Sequence, residues 1–241
     1  WVPESLPAER RHDGGLRILL DGTRELARDH VLVRLLFINA LSFGLLMAYL
    51  SAAPFVLRNV LGMGTVAYTA VFGLCGATVT VTIAVAASLV RRFSQARQVR
   101  VGLIAVLVVD TVFAAVCLMW LREPVTGAER MSLLVAVVAL FLAHVACLGL
   151  SMGNAPALAL DRTGRWAGTG SALLGFLQFV VGGLVSPLVG LTGEASGAAF
   201  GVVIVAVGVI ANILAVFGLR DRGEKEYLAA REAERRQCRL G

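Results

Sequence analysis

The chain has 241 residues, of which 58% are hydrophobic and only 16% are charged. A soluble domain is about half apolar and about a quarter charged, so this composition excludes an ordinary soluble protein and predicts a polytopic helical membrane protein. The net charge of +6 comes from basic residues in loops and at the two ends, where membrane topology explains them, and it does not indicate nucleic-acid binding.

No motif in the sequence indicates an enzyme, a metal site or a cofactor site. Three cysteines lie inside apolar runs and Cys238 lies in a charged tail, with no spacing typical of a disulfide framework or of metal ligands. A nucleotide-binding loop, an HExxH motif and a Ser/His/Asp constellation are all missing. The chain begins with Trp1 rather than Met, so we interpret it as a fragment that lacks its N-terminal part.

Residues 1–30 are polar and precede the first apolar run. We predict that they form a cytoplasmic segment containing a short amphipathic helix on the membrane surface, with a solvated linker as the alternative. The apolar positions of this helix are Leu16, Leu19, Leu20 and Leu26.

The first and second predicted spans cover residues 31–57 and 66–90. In the first, Asn39, Ser42 and Tyr49 share a helix face, which favours the lining of a cavity, and Pro54 predicts a kink in the outer third. In the second, one stripe of small residues predicts a packing seam, and a second, mildly polar stripe is a weaker indication of a site. The small stripe is Thr69, Gly73, Gly76 and Thr80, and the polar stripe is Tyr68, Cys75, Thr78 and Thr82.

The third and fourth predicted spans, residues 101–121 and 131–154, carry the ionisable residues of the membrane interior. Asp110 near the middle of a span costs about 2.5–3.5 kcal/mol on insertion, so it is either a proton carrier or a protonated acid bonded to a neighbouring helix. We expect the structural role for Asp110. His144, Cys147, Ser151 and Asn154 share one helix face and line either a cavity or a packing interface. Histidine changes charge near neutral pH, so His144 is the stronger candidate for proton linkage if water reaches it.

The fifth and sixth predicted spans, residues 168–191 and 196–219, each carry a stripe of small residues. In the fifth, Gln178 lies within the stripe and either bonds a neighbouring helix or lines a cavity. The other members of that stripe are Ser171, Gly175, Gly182 and Ser186. In the sixth, we predict a packing seam formed by Gly197, Gly201, Gly208, Asn212 and Ala215. The charged tail, residues 220–241, is predicted to be cytoplasmic.

The distribution of basic residues predicts the orientation of the six spans. Residues 1–34, the turns 91–100 and 155–168 and the tail together hold 19 of the 22 Lys and Arg residues. Because basic loops stay inside, we place these segments and both ends of the chain in the cytoplasm. Six spans with both ends inside fit a three-plus-three inverted repeat, which is one half of a large transporter fold.

Several segments resemble one transporter family. Residues 154–191 contain NAPALAL and AGTGSALLGFLQFVVGGLVSPLVGL, which are similar to the tenth-to-eleventh helix region of Bcr/CflA-type drug-resistance transporters of the major facilitator superfamily. The opening WVPESLPAERR, the segment GLLMAYLSAAPFVL and the basic turn 91–100 resemble that family's central-loop start, its seventh helix and its C-terminal loop motif.

The resemblance implies the C-terminal half of a proton-coupled drug efflux carrier in a bacterial inner membrane. Its partners would be a drug-like, mostly apolar substrate, protons, the lipid bilayer and the missing N-terminal six-helix half. The predicted cavity residues are Asn39, Ser42, Tyr49, His144, Cys147, Ser151, Asn154 and Gln178, with His144 and Asp110 as candidates for proton linkage. A carrier of sugars or metabolites on the same fold, or a six-helix membrane protein that does not transport, remains the alternative.

Overall fold

The structure, a computed structural model, describes residues 16–121, 124–191 and 197–219. All elements in these ranges are helical, and six of the helices are long and apolar enough to cross a membrane. The predicted all-α, six-span membrane fold is therefore confirmed. The helices are α1 (Leu16–Leu26), α2 (His30–Pro54), α3 (Thr65–Leu89), α4 (Gln95–Trp120), α5 (Glu129–Asp161), α6 (Ala167–Leu188) and α7 (Ala198–Gly218). The predicted tail, residues 220–241, and the segment 1–15 lie outside the described residues.

Helix α2 is the centre of the bundle. It contacts α5, α6 and α7, and 14 of its 25 residues are buried. Helix α4 packs between α5 and α7, and α3 packs against α5. Three fully buried rings join α4, α5 and α7, because Phe113 meets Phe141 and Phe200 edge to face at centroid distances of 4.8 and 5.1 Å. Edge-to-face contacts of this kind stabilise a core beyond the area that they bury.

The small-residue seam of α7 packs against α4, as the sequence predicts. A Cβ atom built on Gly201 would lie 3.0 Å from the Ala114 Cα and 3.0 Å from the Cys117 Cβ, so the two backbones approach closely. The Asn212 side chain donates a hydrogen bond of 2.8 Å to the Leu103 carbonyl on α4. In a lipid bilayer no hydrophobic driving force brings helices together, so close backbone packing and interhelical hydrogen bonds stabilise their association.

The stripe on α6 packs against α2. A Cβ atom on Gly182 would lie 2.8 Å from the Met47 Cγ, and the Ser51 and Ser186 hydroxyls are 2.5 Å apart. We expect Gly182→Val to lower the free energy of unfolding by about 1–3 kcal/mol, because the added methyls must displace α2 side chains.

The neighbouring Gly183 is the matched control for this prediction, since no atom lies within 4 Å of its built Cβ. Valine has the same helix propensity at both positions, so only packing differs between the two variants. Unfolding of each purified variant in mild detergent, followed by circular dichroism, measures the difference. Equal losses in Gly182→Val and Gly183→Val would contradict this interface.

Two helix ends differ from the sequence-based bounds because of capping and proline tolerance. Helix α4 begins at Gln95, inside the predicted turn, where the Ser94 hydroxyl accepts a hydrogen bond from the Arg97 N–H at 3.2 Å. Helix α5 runs through Pro156 to Asp161 instead of ending at residue 154. A proline is tolerated within a membrane helix where neighbouring groups satisfy the carbonyls that it frees.

The chain changes helix type at Pro54, where a kink was predicted; the bend itself stays a prediction. Directly after Pro54 the chain forms one π-helical stretch, Phe55–Val60, in which the Leu61 N–H donates to the Val56 carbonyl at 3.0 Å. Proline has no N–H to give to the preceding turn, and a wider turn redistributes the freed carbonyls.

Helix α1 is present, as predicted, and it is held to the turn between α5 and α6. Glu25 pairs with Arg165 at 2.7 Å, and Asp29 pairs with Arg162 at 2.8 Å. Asp29 also accepts hydrogen bonds from the first N–H groups of α2. Partial burial alone would raise the pKa of Asp29, but these backbone bonds and the Arg162 guanidinium outweigh it and hold the pKa below its usual value.

Candidate functional site

An acid and a histidine form a buried pair in the membrane interior. Asp110 lies on α4 and His144 on α5, and the His144 Nδ1 is 2.6 Å from the Asp110 Oδ1. Both side chains are 0% exposed. Ionisable side chains in a membrane span are costly and face the interior of the bundle, as this pair does. The two groups connect α4 to α5 through one short polar contact.

Helix α2 completes the surroundings of the pair. The His144 Nε2 is 3.4 Å from the Leu45 carbonyl oxygen, a long and therefore weak hydrogen bond when Nε2 carries a proton. The ring of Tyr49, also on α2, has its centroid 6.4 Å from that of His144. The pair therefore joins α4 to α5 and lies against α2, and a change in its charge would act on all of these spans.

The geometry allows the pair to hold one exchangeable proton. Either Asp110 is a carboxylate that accepts from Nδ1–H of an imidazolium, or it is an acid that donates to the Nδ1 of a neutral ring. Both forms have zero net charge, and a proton that arrives or leaves changes the charge of a site without water contact. Because the contact is this close, a change at either residue alters the whole pair.

The second oxygen of Asp110 has no partner among the described residues. Its Oδ2 is fully buried without a hydrogen bond, and it faces α7, where a Cβ built on Gly208 would lie 3.8 Å away. A buried acceptor without a partner costs free energy.

The sequence assigned separate roles to these two residues, and the structure brings them together in one pair; which of them carries a proton stays a prediction. The predicted bond of Asp110 to a neighbouring helix is confirmed, but its partner is His144 itself. The water access expected at His144 is not present, since the residue is fully buried. One signal was available, because both residues lie near the middle of spans that adjoin in sequence.

The remaining residues of the histidine stripe face α4. Asn154 donates hydrogen bonds to the Leu150 carbonyl at 2.9 Å and to the Gln98 Oε1 at 3.3 Å. A Cβ built on Gly102 would lie 3.0 Å from the Ser151 Oγ. The sequence did not single out Gln98, because it lies in a segment predicted to be a turn. Ser151 and Asn154 thus occupy a packing interface, while Cys147 is half-buried.

The predicted cavity residues of α2 and α6 contact one another or the core. The Asn39 side chain donates to the Gln178 Oε1 at 3.4 Å, Ser42 is fully buried, and Tyr49 packs edge to face on Phe141 at 5.2 Å. Of the eight predicted cavity residues, only Cys147 and Gln178 are not fully buried. The assignment of these residues to a substrate cavity stays a prediction.

Within the described ranges, no group of three or more His, Cys, Asp and Glu side chains is placed to hold a metal ion. The candidate site is thus the buried Asp110–His144 pair inside a bundle of apolar spans.

Comparison with known proteins identifies the family. The family model described as Major Facilitator Superfamily matches residues 1–187. The chain belongs to the major facilitator superfamily. Among curated proteins it is similar to the uncharacterized MFS-type transporter YdgK of Bacillus subtilis (strain 168), with 25% identity over 222 residues.

This relative is much longer than the chain. The match covers 90% of this chain but 51% of YdgK, so the chain spans about half the length of the curated relative that it matches. No solved structure matches the chain. Membership of the major facilitator superfamily and six apolar helices make it a multi-pass membrane protein, and they point to a transporter rather than an enzyme.

Proposed function

We propose that the chain is the C-terminal half of a secondary transporter that exports drugs or other small, mostly apolar molecules by proton antiport. The observation that carries this proposal is the buried Asp110–His144 pair, which joins α4 to α5 beside α2 and α7. The resemblance to Bcr/CflA-type carriers supports the substrate class. The substrate would bind near the membrane midplane, and rocking of two halves would expose it to each side in turn.

Coupling requires that the proton favour one of the two transport states. A ligand shifts a conformational equilibrium only by its difference in affinity for the two states. The pair is dry in the described state, so a gained or lost proton would leave a net charge without water, which costs several kcal/mol. A state that opens the α4–α5 contact to water would remove this cost, and the charged pair would therefore favour that state.

The low burial of α3 and α6 supports the proposal that a second half of the transporter packs against this chain. Only two of the 25 residues of α3 are buried, and only four of the 22 residues of α6. On α3 the predicted small-residue seam faces outward and the mildly polar stripe faces inward, so the seam has no partner in the described ranges. No atom lies within 4 Å of a Cβ built on Gly73, Gly76, Gly175 or Gly183. Small residues of this kind allow another helix to approach closely.

We expect Gln178→Leu to reduce export more than Asn212→Leu in the carrier that contains both halves. Each change removes an interhelical hydrogen bond, worth about 0.6 kcal/mol on average in a bilayer. Gln178 is half-buried on α6 beside Asn39, on the helix that the resemblance places at the cavity, whereas Asn212 bonds the Leu103 carbonyl in the α4–α7 seam.

Efflux of a fluorescent cationic dye from vesicles with an imposed pH gradient, normalised to protein abundance, measures this difference. Equal losses in the two variants would remove support for the cavity role of α6. If the wild-type carrier moves sugars along the same gradient and leaves the dye in place, the metabolite carrier replaces the drug exporter.

The proposed orientation places the α3–α4 turn and the α5–α6 turn in the cytoplasm. We expect single cysteines at Gln95 and Gly164, in a variant without native cysteines, to resist an impermeant thiol reagent in intact cells. A cysteine at Gly62, between α2 and α3, should react. Labelling of Gln95→Cys and Gly164→Cys in intact cells would invert the orientation.

A further inference from the structure

A groove opens between α3 and α4 at the end of the bundle that carries the basic turn. It encloses a cavity of about 240 Å³, and its floor is formed by α5. We call it the α3–α4 groove, and it is lined by Leu89, Phe93, Arg97, Gln98, Val101 and Leu150. The groove lies where the apolar spans give way to the turn, which is the depth of the membrane interface.

The lining of the groove is apolar except at one charged side chain. The Gln98 amide already donates to the Phe93 carbonyl at 3.4 Å and accepts from Asn154 at 3.3 Å. Arg97 is exposed, and its guanidinium lies 5.2 Å from the centre of the Phe93 ring. The Phe93 ring thus holds the Arg97 guanidinium at the opening of the apolar α3–α4 groove. This arrangement suits a ligand with a hydrocarbon chain and an anionic head.

The surroundings of the groove are strongly positive. Four arginines lie between residues 91 and 100, and no acidic residue occurs between Asp29 and Asp110. Asp161 on α5 is 11 residues beyond Leu150, or about 16 Å along the helix axis. Basic pockets between membrane helices on the cytoplasmic side bind anionic lipid headgroups.

We propose that the α3–α4 groove binds an anionic phospholipid, with one acyl chain against Val101 and Leu150 and the phosphate on Arg97. The apolar walls select a lipid over a soluble anion, and Arg97 selects an anionic headgroup over a zwitterionic one. The site does not depend on transport or on the Asp110–His144 pair, so a lipid-binding measurement and a transport measurement fail independently.

The test is native mass spectrometry of the purified protein in mild detergent, titrated with phosphatidylglycerol or with phosphatidylcholine. The wild-type protein should prefer phosphatidylglycerol, and Arg97→Gln should weaken its binding about fivefold. Arg58→Gln is the matched control, because Arg58 also lies over an aromatic ring, 5.9 Å from the centre of Tyr68. It lies after Pro54, at the opposite end of the bundle, and its variant should bind phosphatidylglycerol as the wild type does.

A second pair of variants tests whether an acyl chain enters the α3–α4 groove, without changing the charge of the protein. Val101 is 51% exposed, so Val101→Trp should fold normally and fill the groove from α4, and Leu89→Trp should fill it from α3. Circular dichroism and the thermal transition check folding of both variants. Each folded variant should bind phosphatidylglycerol more weakly while Arg97 stays in place.

Several results would overturn the proposal. Equal losses of phosphatidylglycerol binding in Arg97→Gln and Arg58→Gln would mean that the lipid is attracted to basic residues anywhere on the surface. Unchanged binding in the filled variants would mean that no acyl chain enters the groove. Displacement of phosphatidylglycerol by millimolar inorganic phosphate would identify a soluble-anion site. A wild-type protein without any lipid preference would mean that another helix or a second copy of the chain covers the groove.

Discussion

Replacing His144 with leucine while Asp110 remains should lower the free energy of unfolding by about 3–5 kcal/mol. The change removes the partner at 2.6 Å and leaves a fully buried carboxyl group without its hydrogen-bond partner. Breaking one side of a buried pair is costly because the remaining group keeps its desolvation penalty without compensation.

The double variant Asp110→Leu/His144→Leu is the control for this prediction. Apolar side chains that replace both partners are often neutral for stability, so the double variant should be more stable than either single variant. Unfolding by SDS from mild-detergent micelles, followed by circular dichroism, gives the free energy of unfolding of each protein. The wild type, the two single variants and the double variant together form a double-mutant cycle. Additive losses from Asp110→Leu and His144→Leu would show that the two groups do not interact.

Transport should lose its dependence on the proton gradient in both Asp110→Asn and His144→Asn. Because the two side chains contact each other at 2.6 Å in the membrane interior, neither amide variant keeps the complete pair. In vesicles that contain the full carrier, accumulation driven by a pH gradient should fall to the level measured without a gradient. Downhill exchange of substrate should continue, since the helices that would form the cavity are unchanged.

Thr111→Val is the matched control for these amide variants. Thr111 is the neighbour of Asp110 on α4, but it is exposed and its hydroxyl donates to the Leu107 carbonyl of its own helix at 2.7 Å. In Thr111→Val, substrate accumulation should still be driven by the pH gradient as in the wild type. Full coupling in Asp110→Asn together with loss in His144→Asn would assign the proton to the histidine alone, and full coupling in both would place the proton site elsewhere.

The spans and the α7 seam could be predicted from sequence because their signals are local. An apolar run of sufficient length predicts a span, and small residues at helical spacing predict a face that another helix can approach. Gly201 and Asn212 were assigned correctly on that basis alone. The ends of α4 and α5 were not, because the Ser94 side chain caps α4 inside the predicted turn and α5 continues through Pro156.

The partner of each face could not be predicted, because periodicity identifies a face and not what it contacts. The stripe of His144, Ser151 and Asn154 was interpreted as one surface, but the sequence did not show that this surface faces α4, where His144 contacts Asp110 and Asn154 contacts Gln98. On α3 the mildly polar stripe faces inward, and the small-residue seam has no partner in the described ranges. The pairing of Asp110 with His144, which are 34 residues apart, depends on the relative register of α4 and α5, which no local pattern contains.

Helix α5 is long enough that a small tilt moves its ends by several ångströms. With 33 residues it is about 50 Å long, well beyond the roughly 30 Å of a hydrocarbon core. His144 lies near its middle, so Asp161 is about 25 Å from the pair along the axis. A tilt of about 10° around that point would move this end by about 4 Å. Arg162, the next residue, is bound to Asp29 at the start of α2, so a small rotation of α5 about the Asp110–His144 contact would pull on the start of α2 at this same end of the bundle.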